Sequence, residues 1–311
     1  MRIVAAYIGV VLLWSTTPLA IKWSGEGPGY LFGVTGRMSI GLACVLPMLA
    51  LMRQPLPLHR EARLAYLAGA VQIFGAMLAT YWSSRFIPSG WISVVFGLTP
   101  LITALLAAFW LGERSLTAGR LLAYAVGIAG LAVMFGSALE FGSGAEKGIA
   151  GVLLAAFLQS ASAVWIKRIN ARLPALALVA GSLLLAVPAY LVTWGWADGH
   201  WPSVLPLSSL LSIVYLGTVA TTLGFALYFY ILRHLPATRV ALITLMTPVL
   251  SLWVGHTANG EPVSWRVAEG TGLILCALAL HELTGRPRSA AALARFQPLK
   301  NRARNSPDSA P

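Results

Sequence analysis

The sequence predicts an all-α integral membrane protein with ten transmembrane helices, arranged as two inverted five-helix repeats. Composition supports the membrane assignment, because 58% of the residues are apolar and only 10% are charged. A soluble domain carries about a quarter of charged residues. The second observation is that the second half of the chain repeats the first, which predicts the two-unit organisation.

The internal repeat becomes visible when the sequence is shifted against itself. A shift of 148 residues aligns three motifs: Pro88 with Pro236, Thr99-Pro100 with Thr247-Pro248, and Gly112-Glu113 with Gly260-Glu261. A shift of 145 residues aligns Ser15 with Ser160 and Lys22 with Lys167. We therefore predict one repeat at residues 3–137, a second at residues 149–283 and a disordered basic tail at residues 284–311.

Each predicted helix is a run of about 20 mainly apolar residues, the length that crosses a bilayer. The first repeat contributes five runs, at residues 3–23, 30–52, 64–86, 88–110 and 118–137. The second contributes five more, at residues 149–166, 174–196, 207–232, 236–257 and 264–283. The first run lacks a cleavage pattern and is itself one copy of the repeat, so we predict that it is retained rather than removed as a signal peptide.

The distribution of cations predicts the orientation. With the N-terminus in the cytoplasm and the tail left out, 11 cations lie on the cytoplasmic face and four on the other, as the positive-inside rule requires. Both termini are then cytoplasmic, and we predict a multi-pass protein of a bacterial-type inner membrane. Since five helices per repeat is an odd number, the second repeat is inverted relative to the first.

Several motifs follow one another along the chain: Leu13-Trp14-Ser15 with Ala20-Ile21-Lys22, Arg37, the two Thr-Pro pairs, Leu111-Gly112-Glu113 and Gly260-Glu261. In this order they resemble the EamA-type members of the drug/metabolite transporter superfamily, over residues 4–283. The resemblance implies a ten-helix carrier of small organic metabolites, often an exporter of amino acids or related compounds. The second half departs from the pattern where Gln159 replaces an aromatic residue, Asn259 replaces a leucine and Gly181-Ser182 lacks an arginine.

Polar side chains inside the hydrocarbon indicate the substrate pathway, because such groups are costly unless they face protein or a water-filled cavity. Hydroxyl groups recur along the fourth and ninth runs, and Arg37 could hold a substrate carboxylate. The alternative for the hydroxyls is hydrogen bonding within their own helices, and for Arg37 bonding to backbone carbonyls. The predicted pathway consists of Trp14, Ser15, Arg37, Gln72, Phe96, Thr99, Thr103, Gln159, Ser160, Tyr228, Thr244, Thr247 and Ser251.

A second set of residues is predicted to act as hinges or gates. Prolines inside helices remove a backbone hydrogen bond and can act as hinges. Charged residues at helix ends can act as gates if the contacts between them form in one conformation and break in another. The simpler expectation is that the lysines reach the lipid headgroups and that each glutamate offsets the dipole of the helix that follows it. The set comprises Pro18, Pro100, Pro248, Lys22, Glu113, Lys167 and Glu261.

Other functions fit the sequence less well. The predicted spans contain no nucleophile with its base and no pair of aspartates, so we expect no enzyme, no cofactor and no metal. The alternatives are a flippase of a lipid-linked substrate and an exchanger of phosphorylated metabolites or nucleotide sugars, although only Arg37 lies deep in a span. The expected partners are a small molecule and membrane lipid but not nucleic acid, with monomer and homodimer, direction and coupling ion left open.

Overall fold

The computed structural model describes residues 2–112, 118–138, 144–171, 173–224, 227, 231 and 237–284. Every regular element within these ranges is a helix, which agrees with the predicted all-α class. Among the described residues, seven helical stretches are long and apolar enough to cross a bilayer: Ile3–Gly25, Tyr30–Leu51, Arg60–Ser83, Ser89–Leu111, Ala145–Ile169, Ala175–Ala197 and Trp265–Thr284. Two shorter apolar helices accompany them, Ala118–Met134 and Leu207–Leu223. The count of ten spans, their inversion and the tail beyond Thr284 stay predictions.

In the described part of the first half, seven α-helical segments are present. They are α1 (Arg2–Gly25), α2 (Tyr30–Leu51), α3 (Arg60–Ala70), α4 (Met77–Ser83), α5 (Ser89–Phe96), α6 (Thr99–Leu111) and α7 (Ala118–Ala138). The turn between α1 and α2 uses Gly27 and Gly29 at φ values of 93° and 86°, which other residues rarely adopt. This turn brings α1 and α2 side by side.

In the second half, five α-helical segments have their bounds within the described residues. They are α8 (Ala145–Ile169), α9 (Ala175–Ala197), α10 (Leu207–Tyr215), α11 (Ala237–Asn259) and α12 (Trp265–Thr284). The two halves are interleaved in space, because α1 packs against α11, α2 against α9, α6 against α8 and α7 against α12. No separate core exists for either half in the described parts of the chain, and the apolar clusters draw on both.

The third and eighth predicted spans each contain a π-helical segment that the sequence did not predict. The first π segment is Val71–Ala76, between α3 and α4, and the second is Leu216–Leu223, after α10. The shift of 148 residues aligns the first segment with residues 219–224, so the two widened turns occupy equivalent parts of the repeats. A π turn leaves backbone carbonyls less well paired and is common at functional sites.

Side-chain hydroxyls, one from a neighbouring helix and one from within the second segment, bond to carbonyls of the π segments. The hydroxyl of Tyr190, on α9, donates to the carbonyl oxygens of Ile73 and Phe74 at 2.8 and 3.0 Å. The hydroxyl of Thr221 donates to the carbonyl of Leu216, five residues earlier, at 2.8 Å. Because hydrocarbon offers no other partner, these bonds stabilise the π segments.

The fourth predicted span is broken at Gly97 and Leu98, which corrects two expectations. Pro100 lies at the start of α6 and not inside a continuous helix, so its missing N–H removes no mid-helix hydrogen bond. Phe96 ends α5, and it therefore does not continue the hydroxyl face of Thr99 and Thr103 on α6. Pro18 and Pro248, in contrast, lie inside α1 and α11 as predicted.

Two glycines hold α7 and α12 in backbone contact. A Cβ atom on Gly270 would lie 2.9 Å from the carbonyl oxygen of Gly130 and 2.7 Å from the Cγ atom of Met134. A Cβ atom on Gly130 would lie 2.9 Å from the carbonyl oxygen of Gly270. Small residues that allow this approach are typical of helix pairs in membranes.

We expect Gly270→Leu to lower the free energy of unfolding by about 1–3 kcal/mol, because the added side chain overpacks the α7–α12 contact. The matched control is Gly272→Leu, two residues further along α12, where a Cβ atom meets nothing within 4 Å. Thermal unfolding of the purified protein in detergent checks this. Equal melting temperatures for the two variants would contradict the close packing of α7 on α12.

Candidate functional site

A buried carboxylate joins the loop after α11 to the start of α5. Glu261 is 6% exposed, and its Oε2 atom accepts hydrogen bonds from the backbone N–H of Ser89 at 2.7 Å and the Ser89 hydroxyl at 2.8 Å. The N–H of Gly90 points at the same oxygen from 3.4 Å. Glu261 therefore caps α5, whereas the sequence suggested that it serves the helix that follows it, α12.

The other carboxylate oxygen of Glu261 contacts a lysine and an asparagine. The ammonium of Lys22, near the end of α1, lies 3.4 Å from Oε1 and also 3.4 Å from the carbonyl oxygen of Ile87. The side-chain amide of Asn259 donates to Oε1 at 3.0 Å. The charge of Lys22 is thus paired with Glu261 while its side chain stays 27% exposed, and the expectation that it reaches the headgroups stays a prediction. We call Lys22, Ser89, Asn259 and Glu261 the Glu261 cluster.

The surroundings of the Glu261 cluster fix its geometry. The indole N–H of Trp23 donates to the side-chain oxygen of Asn259 at 3.0 Å, which leaves the Asn259 amide free to donate to Glu261. Gly255 gives the carboxylate room, because a Cβ atom there would lie 2.5 Å from Oε2. The cluster thus ties α1, α5 and the α11–α12 loop together at one end of the helix bundle.

These partners also set the acidity of Glu261. Burial raises the pKa of the carboxyl group, but the hydrogen bond from the Ser89 N–H, the charge of Lys22 and the hydrogen bonds from Ser89 and Asn259 side chains outweigh it. The pKa of Glu261 therefore lies below its ordinary value, and the carboxylate stays ionised at neutral pH.

Two hydroxyl networks connect helices deeper in the bundle. In the first, the Ser93 hydroxyl on α5 donates to the Ser251 hydroxyl on α11 at 2.8 Å. Ser251 in turn donates to the backbone carbonyl of Ser15 on α1 at 2.9 Å, and the Ser15 hydroxyl closes on the carbonyl of Val11 at 2.6 Å. Ser15 and Ser251, both predicted pathway residues, are brought together here.

In the second network, α6 is bonded to α8. The Thr103 hydroxyl donates to the Ser160 hydroxyl at 3.0 Å, and Ser160 lies 3.3 Å from the carbonyl oxygen of Thr99. The hydroxyl of Thr99 itself is buried and has no acceptor or donor among the described residues. Three more of the predicted pathway residues therefore meet at this point. One of them, Thr99, has a hydroxyl that makes no hydrogen bond among the described residues.

The two networks are equivalent under the internal repeat. Ser15 aligns with Ser160, and Thr103 aligns with Ser251. Each network joins the first helix of one repeat to the fourth helix of the other, through the same pair of sequence positions. The sequence repeat is thus matched by a repeated contact in space.

The remaining predicted residues are placed less closely together. Trp14 on α1 packs beside a small apolar cluster with Leu227 and Leu250, and Gln72 lies half-buried in the first π segment. Gln159 and Thr247 are half-buried on α8 and α11, while Lys167 is exposed in the last turn of α8. Glu113 and Tyr228 lie outside the described residues, and of Thr244 only the backbone is described.

Two cavities lie away from these networks. One of about 560 Å³ is lined by Arg60, Arg63 and apolar residues of α3 and α9, and one of about 480 Å³ lies beside the loop from Asp198 to Pro206. Neither is lined by a predicted pathway residue. In this conformation Ser251 on α11 contacts Ser15 on α1 directly, and Thr103 on α6 contacts Ser160 on α8.

Sequence reasoning missed Ser89 and Ser93, which take part in the Glu261 cluster and the first network. They are four residues apart, so they lie on the same face of α5. A serine directly after Pro88, followed one turn later by another, is a signal for this polar face. Their partners Glu261 and Ser251 are distant in sequence, and no local pattern identifies them.

We expect the stabilisation by Glu261 to depend on pH. Since its pKa is lowered in the folded state, its contribution is present above the pKa of the unfolded chain and is lost as pH falls through the folded-state pKa. Glu261→Gln should therefore melt below wild type at neutral pH, and the difference should shrink on acidification. Glu269→Gln, an exposed carboxylate on α12, is the control with little effect. A difference between wild type and Glu261→Gln that is independent of pH would contradict the charged cap.

Known proteins similar to this chain support the family resemblance seen in the sequence, and they agree with the helical fold. The model of the EamA-like transporter family matches the chain twice, at residues 1–136 and 146–281. A solved crystal structure aligns with a TM-score of 0.62 and 25% identity, covering 91% of this chain and 96% of the other.

Three curated relatives are also similar. The uncharacterized transporter YoaV of Bacillus subtilis is 23% identical and covers 91% of this chain and 97% of its own length. A probable terminal-alkyne amino-acid exporter of Streptantibioticus cattleyicolor is 28% identical, over 84% of this chain and 86% of its own. A probable amino-acid metabolite efflux pump of Salmonella typhimurium is 28% identical, over 70% and 76%. A family model that matches both halves of an apolar, helical chain carries the assignment: the protein is a membrane transporter, not an enzyme, and belongs to the EamA-like transporter family.

Proposed function

We propose that this protein exports amino acids or related small metabolites across the inner membrane by alternating access to a site midway through the bilayer. Ten helices form two inverted repeats, residues 3–137 and 149–283, with both termini in the cytoplasm. The names of two relatives, an amino-acid exporter and an amino-acid metabolite efflux pump, support the substrate class.

The observation that carries the mechanism is the pair of equivalent hydroxyl networks. The bond from Ser251 to the Ser15 carbonyl and the bond from Thr103 to Ser160 join corresponding positions of the two repeats. A pseudo-two-fold axis in the membrane plane relates such contacts, and it lets the halves exchange conformations. The polar groups near this axis, Thr99 with its unpaired hydroxyl among them, then line the substrate site.

The Glu261 cluster acts as a gate in this proposal. With cytoplasmic termini it lies at the outer end of the bundle, where it closes α1 onto α5 and the α11–α12 loop. Lys167 and Glu113 are the residues that align with Lys22 and Glu261, and they are the proposed counterparts at the inner end. Opening one side and closing the other exchanges one set of contacts for the other.

The two gates differ in composition, and this difference favours one conformation of the carrier over the other. Ser89 aligns with Ala237 and Asn259 aligns with Leu111, so the two side-chain donors that Glu261 uses have no equivalents in the other repeat. The aligned positions of the inner gate therefore supply neither of these two side-chain donors. We propose that the resting protein is closed on the outside, ready to load from the cytoplasm.

Transport into inside-out vesicles tests the function. Purified protein is reconstituted and a panel of radiolabelled amino acids is offered, with protein-free vesicles as the control. We expect uptake of at least one amino acid, whereas movement of a labelled lipid alone would support the flippase and overturn the carrier.

Thr99→Val tests the site within the same assay. Replacing an unpaired buried hydroxyl by an isosteric methyl group leaves stability unchanged or raises it, because no protein hydrogen bond is lost. If the hydroxyl binds substrate, the KM for uptake rises, by about 10-fold for about 1.4 kcal/mol. Ser162→Ala is the matched control, since the hydroxyl of Ser162 is already paired with the carbonyl of Ala68 at 2.6 Å. An unchanged KM in Thr99→Val excludes Thr99 from the site.

Thiol accessibility tests the bias of the gate. In a background of Cys44→Ser and Cys276→Ser, a single cysteine replaces Ser93, one turn below Ser89, and is labelled from outside with an impermeant reagent. Adding Ser89→Ala and Asn259→Leu removes about 2 kcal/mol of gate stabilisation, so labelling should quicken about 30-fold.

Two controls accompany the labelling. Ala237→Ser with Leu111→Asn strengthens the opposite gate and should also raise outer labelling. Ser24→Ala removes a hydroxyl that bonds only within α1, to the carbonyl of Ile21, and should leave the rate unchanged. Labelling that does not respond to the Ser89 and Asn259 substitutions would contradict the gate.

A further inference from the structure

One arginine carries a charge that nothing in the described chain neutralises. Arg37, on α2, is only 7% exposed, and its Nε atom lies 3.4 Å from the Thr221 hydroxyl in the second π segment. Its Nη1 atom is buried and has no acceptor among the described residues. The ion pairs found in the described ranges use Glu261, Asp198 and Glu282, and none of them includes Arg37.

Such a group requires an anion at some stage of the cycle. A guanidinium keeps its proton at any physiological pH, so it cannot become neutral as a buried lysine can. Charged residues inside a membrane span are costly, and they face a partner, a cavity or a substrate path. The Thr221 hydroxyl is a neutral acceptor, and at 3.4 Å it does not compensate a full charge.

A tyrosine nearby has the same deficit. Tyr81, on α4, is fully buried, and its hydroxyl has no partner among the described residues. Tyr81 and Tyr190 belong to the same buried cluster as Val34 and Met38 of α2, the helix that carries Arg37, and α2 packs against α4. Tyr190 itself is satisfied, because it donates to the carbonyls of Ile73 and Phe74.

The site borders the proposed pathway. Ile73 and Phe74 directly follow Gln72 in the first π segment, and Thr221 belongs to the second. Arg37 thus contacts the second widened turn through Thr221, and Tyr81 lies on α4, which directly follows the first. An anion bound there would contact both repeats.

The first repeat has an arginine at this position, whereas the second does not. The position that aligns with Arg37 is Ser182, whose Oγ atom lies 2.1 Å from where a Cβ atom on Gly69 would stand. That contact leaves no room for an arginine in the second repeat. One cation and one phenolic donor suit a single carboxylate, whereas a phosphate dianion would bring an uncompensated negative charge.

We propose that Arg37 and Tyr81 bind the carboxylate of the transported molecule, so the substrates are compounds with one carboxylate group. The guanidinium supplies the charge and the tyrosine hydroxyl a second hydrogen bond to the same group. This assignment rests on the proposed function, and it names the feature by which the carrier selects its substrates.

Ligand-induced thermal stabilisation of the purified transporter tests the proposal without requiring transport. The probes are single amino acids and simple monocarboxylates, each paired with its own carboxamide, which keeps the shape and removes the charge. Wild type should bind at least one acid about 10-fold more tightly than its amide. Arg37→Gln should abolish this preference, and Tyr81→Phe should reduce it about threefold to 10-fold.

Matched variants keep the result interpretable. Tyr190→Phe removes the other fully buried hydroxyl of the region, which is already paired, so it should lower stability but keep the preference for acid over amide. Arg37→Lys retains a charge and should keep part of the preference, which separates loss of binding from failure to fold.

Several outcomes would overturn the assignment. If wild type bound each acid and its amide with equal affinity, the carboxylate assignment would be overturned. The proposed function still stands in that case if vesicles take up amino acids all the same. If chloride raised the melting temperature of the transporter more than sulfate at equal ionic strength, and no carboxylate changed it, the site would bind halide instead. Conversely, a preference for acids that depends on Arg37, in a protein that transports none of them, would retain this site and refute the exporter.

Discussion

The fold depends on the fact that hydrocarbon supplies no hydrogen bonds, so the chain must satisfy every polar group from within. Regular α-helix does this locally, and each departure from it needs a partner from another helix. Tyr190 supplies one for the first π segment, Thr221 supplies one inside the second, and Glu261 caps the start of α5. At each of these departures a side chain supplies the hydrogen-bond partner that the backbone lacks.

The paired π segments are positions at which a helix could shift relative to its neighbour. Gly69, just before the first segment, and Gly217, within the second, align under the repeat and both allow close contact with a neighbouring helix. A Cβ atom on Gly217 would lie 3.0 Å from the carbonyl oxygen of Arg37 and 2.6 Å from Ile40. Each segment therefore carries one extra residue per turn at a tight helix contact. A local shift of register there would move α2 or α9 without breaking long helices.

The sequence predicted the helices well but not the contacts between them. Hydropathy and repeated motifs locate helices such as α2 and α9 because crossing a bilayer constrains about 20 consecutive residues. A π turn leaves no trace in a run where nearly every residue is apolar, so Val71–Ala76 could not be foreseen. Glu261 was assigned to its own helix because dipole arguments are local, while its partner Ser89 is 172 residues away. Pro100 was predicted as a hinge within one helix, whereas it lies at the start of α6, just after the break at Gly97 and Leu98.

Buried polar groups divide into two kinds here, and the division bears on function. Those of the Glu261 cluster and the two hydroxyl networks have partners from several helices, and each is explained by the contacts that it makes. Thr99, Tyr81 and Arg37 are also buried, yet each keeps a donor without a partner in the described chain. Leaving a donor unpaired in a low-dielectric interior has a large cost, which a folded protein tolerates where something else binds. If Thr99, Tyr81 and Arg37 line the substrate site as proposed, a bound substrate relieves that cost, and the unpaired donors favour its binding.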